Sequence, residues 1–176
     1  MRNTAFLALG IALLIVESGL FRILDRIHPA IATPSLLLPL IVFMGVHEYS
    51  LARGAALAFI LGYFLDVFAA APLGLFTFIS VATFLVARVA GVRLAAQTLA
   101  TKVALAFVFA LFESILVVAL TAIFGGDPHR ARSLAILVPG HAITTAVSAP
   151  LVFRIAERVH LATIASPVPP EGTGRT

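Results

Sequence analysis

The stretch that decides the fold is Gly62-Tyr63-Phe64-Leu65-Asp66-Val67-Phe68-Ala69-Ala70-Ala71-Pro72-Leu73-Gly74-Leu75. It begins as the end of an apolar helix and finishes as a tight turn, since Pro72 disfavours helix at the residue before it and can itself begin the next helix. Gly62 lies one helical turn before Asp66, so both project from one face. Glycine lets a second helix approach, and the carboxylate can then face that helix instead of lipid. The stretch predicts a packed helical hairpin with a buried or half-buried acid near its tip.

The composition of the whole chain is that of a membrane protein. Of its 176 residues, 61% are hydrophobic and only 11% are charged, and the mean hydropathy is +1.10. Soluble globular proteins are about a quarter charged, so a soluble domain is excluded. The net charge of +4 does not indicate nucleic-acid binding, because basic residues of membrane proteins serve as orientation signals in the loops. The absence of cysteine excludes disulfides, thiolate metal sites and cysteine nucleophiles.

Six hydrophobic segments predict an all-α, polytopic, compact six-helix bundle. We expect one transmembrane domain over residues 1–160 and a Pro/Gly-rich, disordered cytoplasmic tail over 161–176. The first segment is long enough to span and carries no small-x-small cleavage site, so we expect an uncleaved span. The second is short and holds Pro39, so we expect it to kink, tilt or cross incompletely. An interfacial connector occupies 22–33, and the spans lie near 4–24, 34–46, 52–68, 73–89, 101–124 and 133–153.

The distribution of lysine and arginine predicts the orientation. With the N-terminus in the cytoplasm, eight basic residues fall inside and four fall outside, which favours this orientation over its inverse. Six spans then return the C-terminus to the cytoplasm and place the Asp66 hairpin tip outside. The inside residues are Arg2, Arg53, Arg88, Arg93, Lys102, Arg154, Arg158 and Arg175, and the outside residues are Arg22, Arg26, Arg130 and Arg132.

Titratable residues inside the predicted spans are the candidate functional groups. Glu113 lies near the middle of the fifth span, where an acid needs a partner or a proton. His141 in the antiparallel sixth span could reach it. The alternative is a protonated carboxyl bonded to Thr144 or Thr145, and both interpretations stay open. Glu17 in the first span is subject to the same reasoning.

Asp66 also has two interpretations. It either contacts a partner helix or a polar group of its own bundle near the outer interface, or it is a helix-end acid that reaches headgroups or water. We expect a structural or interaction role rather than catalysis.

Enzyme and cofactor motifs are not supported. His47-Glu48 begins like the H-E-x-x-H zinc signature, but the second histidine position holds Leu51, so two imidazoles one helical turn apart are missing. We interpret His47-Glu48 as a solvated loop. The five histidines are scattered, no serine lies in a Gly-x-Ser-x-Gly context, and no glycine-rich phosphate loop occurs. The sequence therefore predicts a protein that is not an enzyme, with no catalytic, cofactor or metal site.

An ordered set of short elements resembles the MreD family of rod-shape-determining membrane proteins. Its elements are Pro34-Ser35-Leu36-Leu37-Leu38, Val42-Phe43, Arg53-Gly54, Gly62-x-x-x-Asp66 and Pro72-Leu73-Gly74-Leu75. Ala149-Pro150-Leu151-Val152-Phe153 resembles the last span of the family. Ile15-Val16-Glu17-Ser18 resembles an element of its first span, with Glu17 where the family carries glutamine. The resemblance covers roughly residues 4–160, and the ordered set is more specific than any single element.

The resemblance implies a non-enzymatic adaptor of the cell-wall elongation machinery in the bacterial inner membrane. Such proteins bind MreC, a single-span protein with a large periplasmic domain. Through it they associate with MreB and with the RodA–transpeptidase pair, and so help to maintain cell shape and peptidoglycan synthesis. Membrane lipids are the other expected contacts. The residues that we carry forward as structural or interaction candidates are Gly62, Asp66, Pro72, Gly74, Glu113, His141 and Glu17.

A transporter subunit and an intramembrane enzyme are the two alternative classes of function. The resembled proteins are similar in fold to the substrate-binding subunits of energy-coupling-factor vitamin transporters, so such a subunit is the main alternative. It would need a polar, solvent-reachable pocket between helices, whereas the predicted pocket faces are mostly leucine, valine, alanine and phenylalanine. An intramembrane enzyme would need convergent titratable groups, for which Glu113 with His141 is the one candidate pair.

Overall fold

The chain forms an all-α bundle of six helices. The computed structural model describes residues 2–27, 33–47, 50–69, 72–91, 99–124 and 128–164. Within these ranges, the regular secondary structure is helical. The helices are α1 (Arg2–Ile27), α2 (Leu37–His47), α3 (Leu51–Phe68), α4 (Leu75–Gly91), α5 (Leu99–Phe124) and α6 (Pro128–Ile164). The predicted all-α class is confirmed.

Four helices, α1, α3, α5 and α6, are long and apolar enough to cross a membrane. The other two apolar helices are shorter. The 11 residues of α2 rise about 16 Å, roughly half of a hydrocarbon core of about 30 Å, so α2 by itself is too short to cross. The 17 residues of α4 rise about 25 Å, which is also short of that thickness.

Several helix ends differ from the predicted spans. Helix α1 continues to Ile27, inside the predicted connector, and α6 runs from Pro128 to Ile164, four residues into the predicted tail. Hydropathy marks only the apolar part of a helix, whereas the backbone hydrogen bonds continue through polar residues at its ends. The rest of the connector and of the tail, at 28–32 and 165–176, lies outside the described residues, as do Ala70 and Ala71 of the hairpin.

Helix α2 is the centre of the bundle. It contacts each of the other five helices, and every residue from Leu37 to Gly45 is buried. A helix that is apolar on all sides has no face suited to water, so it is stable only when neighbours surround it. Pro39 is tolerated because it lies in the first helical turn, where backbone N–H groups have no acceptor within the helix.

An aromatic cluster closes one end of this core. The ring of Phe43 in α2 stacks on that of His47 with a centroid distance of 4.1 Å, and it lies 6.0 Å from the ring of His160 in α6. Phe6 and Phe153 lie 6.1 and 6.4 Å from the same Phe43 ring. His47 is thus the last residue of α2, exposed but helical, and its interpretation as part of a solvated loop was wrong. The apolar residues before His47 hold the helix against its neighbours, so the helix continues to this residue. Glu48 lies outside the described residues.

Candidate functional site

The carboxylate of Asp66 caps the N-terminus of α4. Its Oδ1 accepts a hydrogen bond from the backbone N–H of Phe76 at 2.7 Å. Its Oδ2 accepts from the N–H groups of Gly74 and Thr77 at 2.9 and 3.2 Å, and from the Thr77 hydroxyl at 2.6 Å. The first N–H groups of a helix have no acceptor within it, so a buried helix start needs such a partner. Asp66 is 1% exposed, and these hydrogen bonds join it to groups of its own bundle.

Gly62 brings α3 against α4 beside this cap. A Cβ atom at Gly62 would lie 2.7 Å from the Cα of Thr77 and 2.8 Å from the carbonyl oxygen of Phe76. Both are backbone atoms, so no side-chain rotation could relieve the overlap. The absence of a side chain at Gly62 therefore permits the approach that brings Asp66 to the first turn of α4.

The turn before α4 depends on Gly74. Its φ is +99°, in the region that residues with a Cβ atom rarely adopt, and its N–H points at Asp66. The N–H of Leu75 donates to the carbonyl of Pro72 at 3.1 Å. The sequence allowed Pro72 to begin the next helix, but α4 begins at Leu75, so Pro72 lies in the preceding turn. The cap at Asp66 explains this difference, since it holds the N–H groups of the following residues at the helix start.

Glu17 caps α2 in the same way. Its Oε2 accepts hydrogen bonds from the N–H groups of Leu36 and Leu37 at 2.9 and 3.2 Å. On the other side, the hydroxyl of Thr145 in α6 accepts the N–H of Ser35 at 3.0 Å. The start of α2 is thus held by side chains from two other helices. The structure gives Glu17 a structural role that the sequence did not specify.

Glu113 and His141 face each other next to this capped helix start. The Oε2 atom of Glu113 lies 4.0 Å from Nε2 of His141, a distance that is too long for a direct hydrogen bond. Nδ1 of His141 lies 2.7 Å from the carbonyl oxygen of Thr33, which can only accept, so Nδ1 carries the proton of this bond. The hydroxyl of Thr144 bonds to carbonyl oxygens of its own helix. Glu113 and His141 thus lie close to each other, as predicted.

We call Glu17, Glu113 and His141 the polar cluster. Its members come from α1, α5 and α6, and Glu17 and His141 both bond to the backbone that leads into α2. In the part of the chain that the structure describes, no group of three or more histidine, cysteine, aspartate or glutamate side chains is arranged to hold a metal ion. The cluster offers acceptor atoms from carboxylates and an imidazole, at the N-terminus of a buried helix.

The roles of several polar residues in these sites were not predicted from the sequence. Ser35 carried a readable signal, because serine three residues before a helical N–H is typical of an N-cap, and its hydroxyl accepts the N–H of Leu38 at 3.4 Å. No sequence signal marks Thr77 as a partner of Asp66, or Thr145 as a partner of Ser35. Their roles depend on which helices pack together.

Neither a family model, nor a curated protein, nor a solved structure matches this chain.

Proposed function

We propose that this protein is an MreD-like adaptor of the cell-wall elongation machinery. In this proposal it is not an enzyme. It lies in the bacterial cytoplasmic membrane with both termini in the cytoplasm and binds the single-span protein MreC. Through MreC it associates with MreB and with the RodA–transpeptidase pair.

One observation supports the proposal most. The sequence elements that carry the family resemblance coincide with the contacts that join the helices. Ser35 and Asp66 bond to backbone or side-chain groups at the starts of α2 and α4, and Gly62 allows α3 to contact α4. Acids whose oxygens are occupied by backbone N–H groups stabilise a bundle and are poorly placed for chemistry on a substrate. A set of residues devoted to helix packing favours an adaptor.

The transporter alternative rests on a different observation. A substrate-binding subunit needs polar groups inside the bundle, and the polar cluster supplies two carboxylates and an imidazole beside a helix N-terminus. If the chain is such a subunit, a small molecule should bind there and should stabilise the purified protein in the absence of any protein partner.

The adaptor proposal is tested by purifying the tagged chain in a mild detergent from cells that also express the MreC-like protein of the same genome. We expect the two proteins to elute together and depletion of this chain to convert rods into rounded cells. Re-expression of the wild-type chain should restore rods. A tagged six-helix membrane protein of unrelated function is the control for detergent carry-over. Normal rods after depletion, together with no recovery of the MreC-like protein, would overturn the proposal.

A further inference from the structure

We propose that the polar cluster is a receptor site for a lysine or arginine side chain on the membrane helix of a partner protein. This inference rests on the proposed adaptor function. It assigns the contact to the interior-facing acids of α1 and α5 and to His141 of α6, rather than to Asp66 at the hairpin.

Glu113 has an unmet need for a hydrogen-bond donor. Glu113 is 7% exposed, and its Oε2 atom is buried without a hydrogen-bond partner in the described part of the chain. A buried carboxylate oxygen without a donor is costly, and native structures rarely leave one unexplained. Nothing in the helix packing requires an acid here, since alanine, phenylalanine and serine fill the neighbouring buried positions of α5.

The acceptors of the cluster have a geometry that suits an N–H donor. Because Nδ1 of His141 donates to Thr33, Nε2 is an acceptor while the imidazole is neutral and a donor once it is protonated. In the neutral form, Nε2 of His141 and Oε2 of Glu113 are two acceptors 4.0 Å apart. A single nitrogen that donates to both at about 2.8 Å fits this separation. Ammonium and guanidinium groups carry several N–H donors and suit such a pair.

The charge of the cluster also favours a basic ligand. Glu17 and Glu113 are both acids, and the side chain that faces Glu113 at 4.0 Å is that of His141, which is charged only when protonated. Carboxylates inside a membrane protein are costly unless they are paired or protonated. A basic side chain would neutralise the cluster and supply the donors that Glu113 lacks.

The cluster also reaches the surface of the bundle. The side chain of His141 is 27% exposed, and Glu17 is half-buried. Beside His141, an exposed stripe at helical spacing runs along α6 through Ile136, Gly140, Ile143 and Val147. Gly140, next to His141, is where a second helix could approach α6 most closely.

Depth favours a protein side chain over a lipid headgroup. Glu113 lies eleven residues from the end of α5 at Phe124, a rise of about 16 Å. A headgroup amine would have to descend through about half of the hydrocarbon core to reach it. A lysine or arginine on a neighbouring helix can be placed at the same depth, and such a residue needs an acidic partner within the membrane.

The first experiment uses the purified chain alone and two alkyl cations. Dodecylguanidinium carries N–H donors, whereas dodecyltrimethylammonium carries the same charge without them. We expect dodecylguanidinium to raise the melting temperature of the wild-type chain by about 3 °C, which corresponds to about 1 kcal/mol for a chain of this size. The trimethyl compound should have little effect, and Glu113→Gln should abolish the response. Glu157→Gln, at an exposed acid of the same bundle, is the matched control and should respond like the wild type.

The second experiment uses the complex with the MreC-like protein. Glu113→Gln should weaken the complex about tenfold, equivalent to about 1.4 kcal/mol, without lowering the melting temperature of the subunit. We expect one lysine or arginine of the partner's membrane helix to weaken the complex equally when it is replaced by methionine. Glu113→Lys combined with glutamate at that partner position should restore binding.

The two experiments separate the possible failures. If the wild-type chain responds to dodecylguanidinium but does not recover the MreC-like protein, the MreC-like protein is not the occupant, and normal rods after depletion would then overturn the proposed function as well. Equal responses to both alkyl cations, or an unchanged response in Glu113→Gln, would overturn the receptor site. Stabilisation by sodium chloride over choline chloride that is lost in Glu113→Gln would also overturn it, because the occupant would then be a metal cation.

Discussion

The carboxylate of Asp66 holds Thr77 through both its backbone N–H and its hydroxyl, at 3.2 and 2.6 Å, so the end of α3 is bonded to the first turn of α4. With the bonds to Gly74 and Phe76, this contact uses both oxygens of the side chain. Glu17 and α2 repeat the arrangement with a longer side chain. Two short helices of the bundle thus have their starts capped by acids from the helices that precede them.

Replacing Asp66 should destabilise the isolated subunit. Asp66→Ala leaves the N–H groups of Gly74, Phe76 and Thr77 without their acceptor, and loss of a helix cap costs about 0.5–2 kcal/mol, with more for bonds to a charged group. Asp66→Asn keeps one acceptor oxygen and should cost less. Circular dichroism at 222 nm during heating in detergent measures the difference, since the chain has no tryptophan for fluorescence. An unchanged melting temperature in Asp66→Ala would contradict the capping role.

Gly62→Ala should also lower the melting temperature. The added Cβ would lie 2.7 Å from the Cα of Thr77, so α3 and α4 must move apart, and overpacking of this kind costs about 1–3 kcal/mol. Gly19→Ala is the matched control, because a Cβ there meets nothing within 4 Å. Alanine favours a helix over glycine by about 1 kcal/mol, so the control should be neutral or stabilising. A melting temperature of Gly62→Ala that stays unchanged or rises as in the control would show that helix propensity, not packing, governs Gly62.

The cap on α2 should depend on the acceptor oxygen of the Glu17 side chain. Glu17→Ala removes the acceptor for the N–H groups of Leu36 and Leu37, whereas Glu17→Gln keeps an acceptor oxygen on a side chain of equal length. We expect Glu17→Ala to cost about 1–3 kcal/mol and Glu17→Gln to cost less. Hydrogen exchange of the Leu36 and Leu37 amides, read by mass spectrometry of the peptide that contains them, should increase in Glu17→Ala. Protection equal to that of the wild type would argue against the cap.

Glu113 is expected to behave differently from the two capping acids. Glu113→Gln keeps a polar side chain of equal length beside His141 and can place an amide group where Oε2 has no donor, so the melting temperature should be unchanged or higher. Glu113→Ala leaves Nε2 of His141 facing a void and should cost about 2 kcal/mol. A Gln variant that melts as low as the Ala variant would indicate that the charge itself stabilises the isolated bundle.

Topology can be tested with single cysteines, because the chain has none of its own. Leu73, 72% exposed in the hairpin, and Ala162, exposed near the end of α6, are suitable positions. The lysine and arginine distribution predicts that a membrane-impermeant maleimide labels Leu73→Cys in intact cells and labels Ala162→Cys only after lysis. Labelling of Ala162→Cys in intact cells would reject a cytoplasmic C-terminus.

The sequence by itself determined the features that are encoded locally. Low charge and high hydropathy require a membrane environment, and apolar segments separated by turn residues predict six helices. The hairpin around Asp66 was also readable, because Gly62, Asp66, Pro72 and Gly74 are near neighbours and their spacing alone places the glycine and the acid on one helical face.

Only the tertiary structure decided the rest. Helix α2 is buried on all sides because five helices surround it, whereas its sequence is equally compatible with a short span in contact with lipid. Glu17 caps a helix that begins 20 residues further along the chain, and Thr145 bonds to Ser35 across 110 residues. Such contacts depend on the relative positions of whole helices, which follow from packing over the entire bundle. No local pattern of residue types encodes them, so the polar cluster exists only in the folded chain.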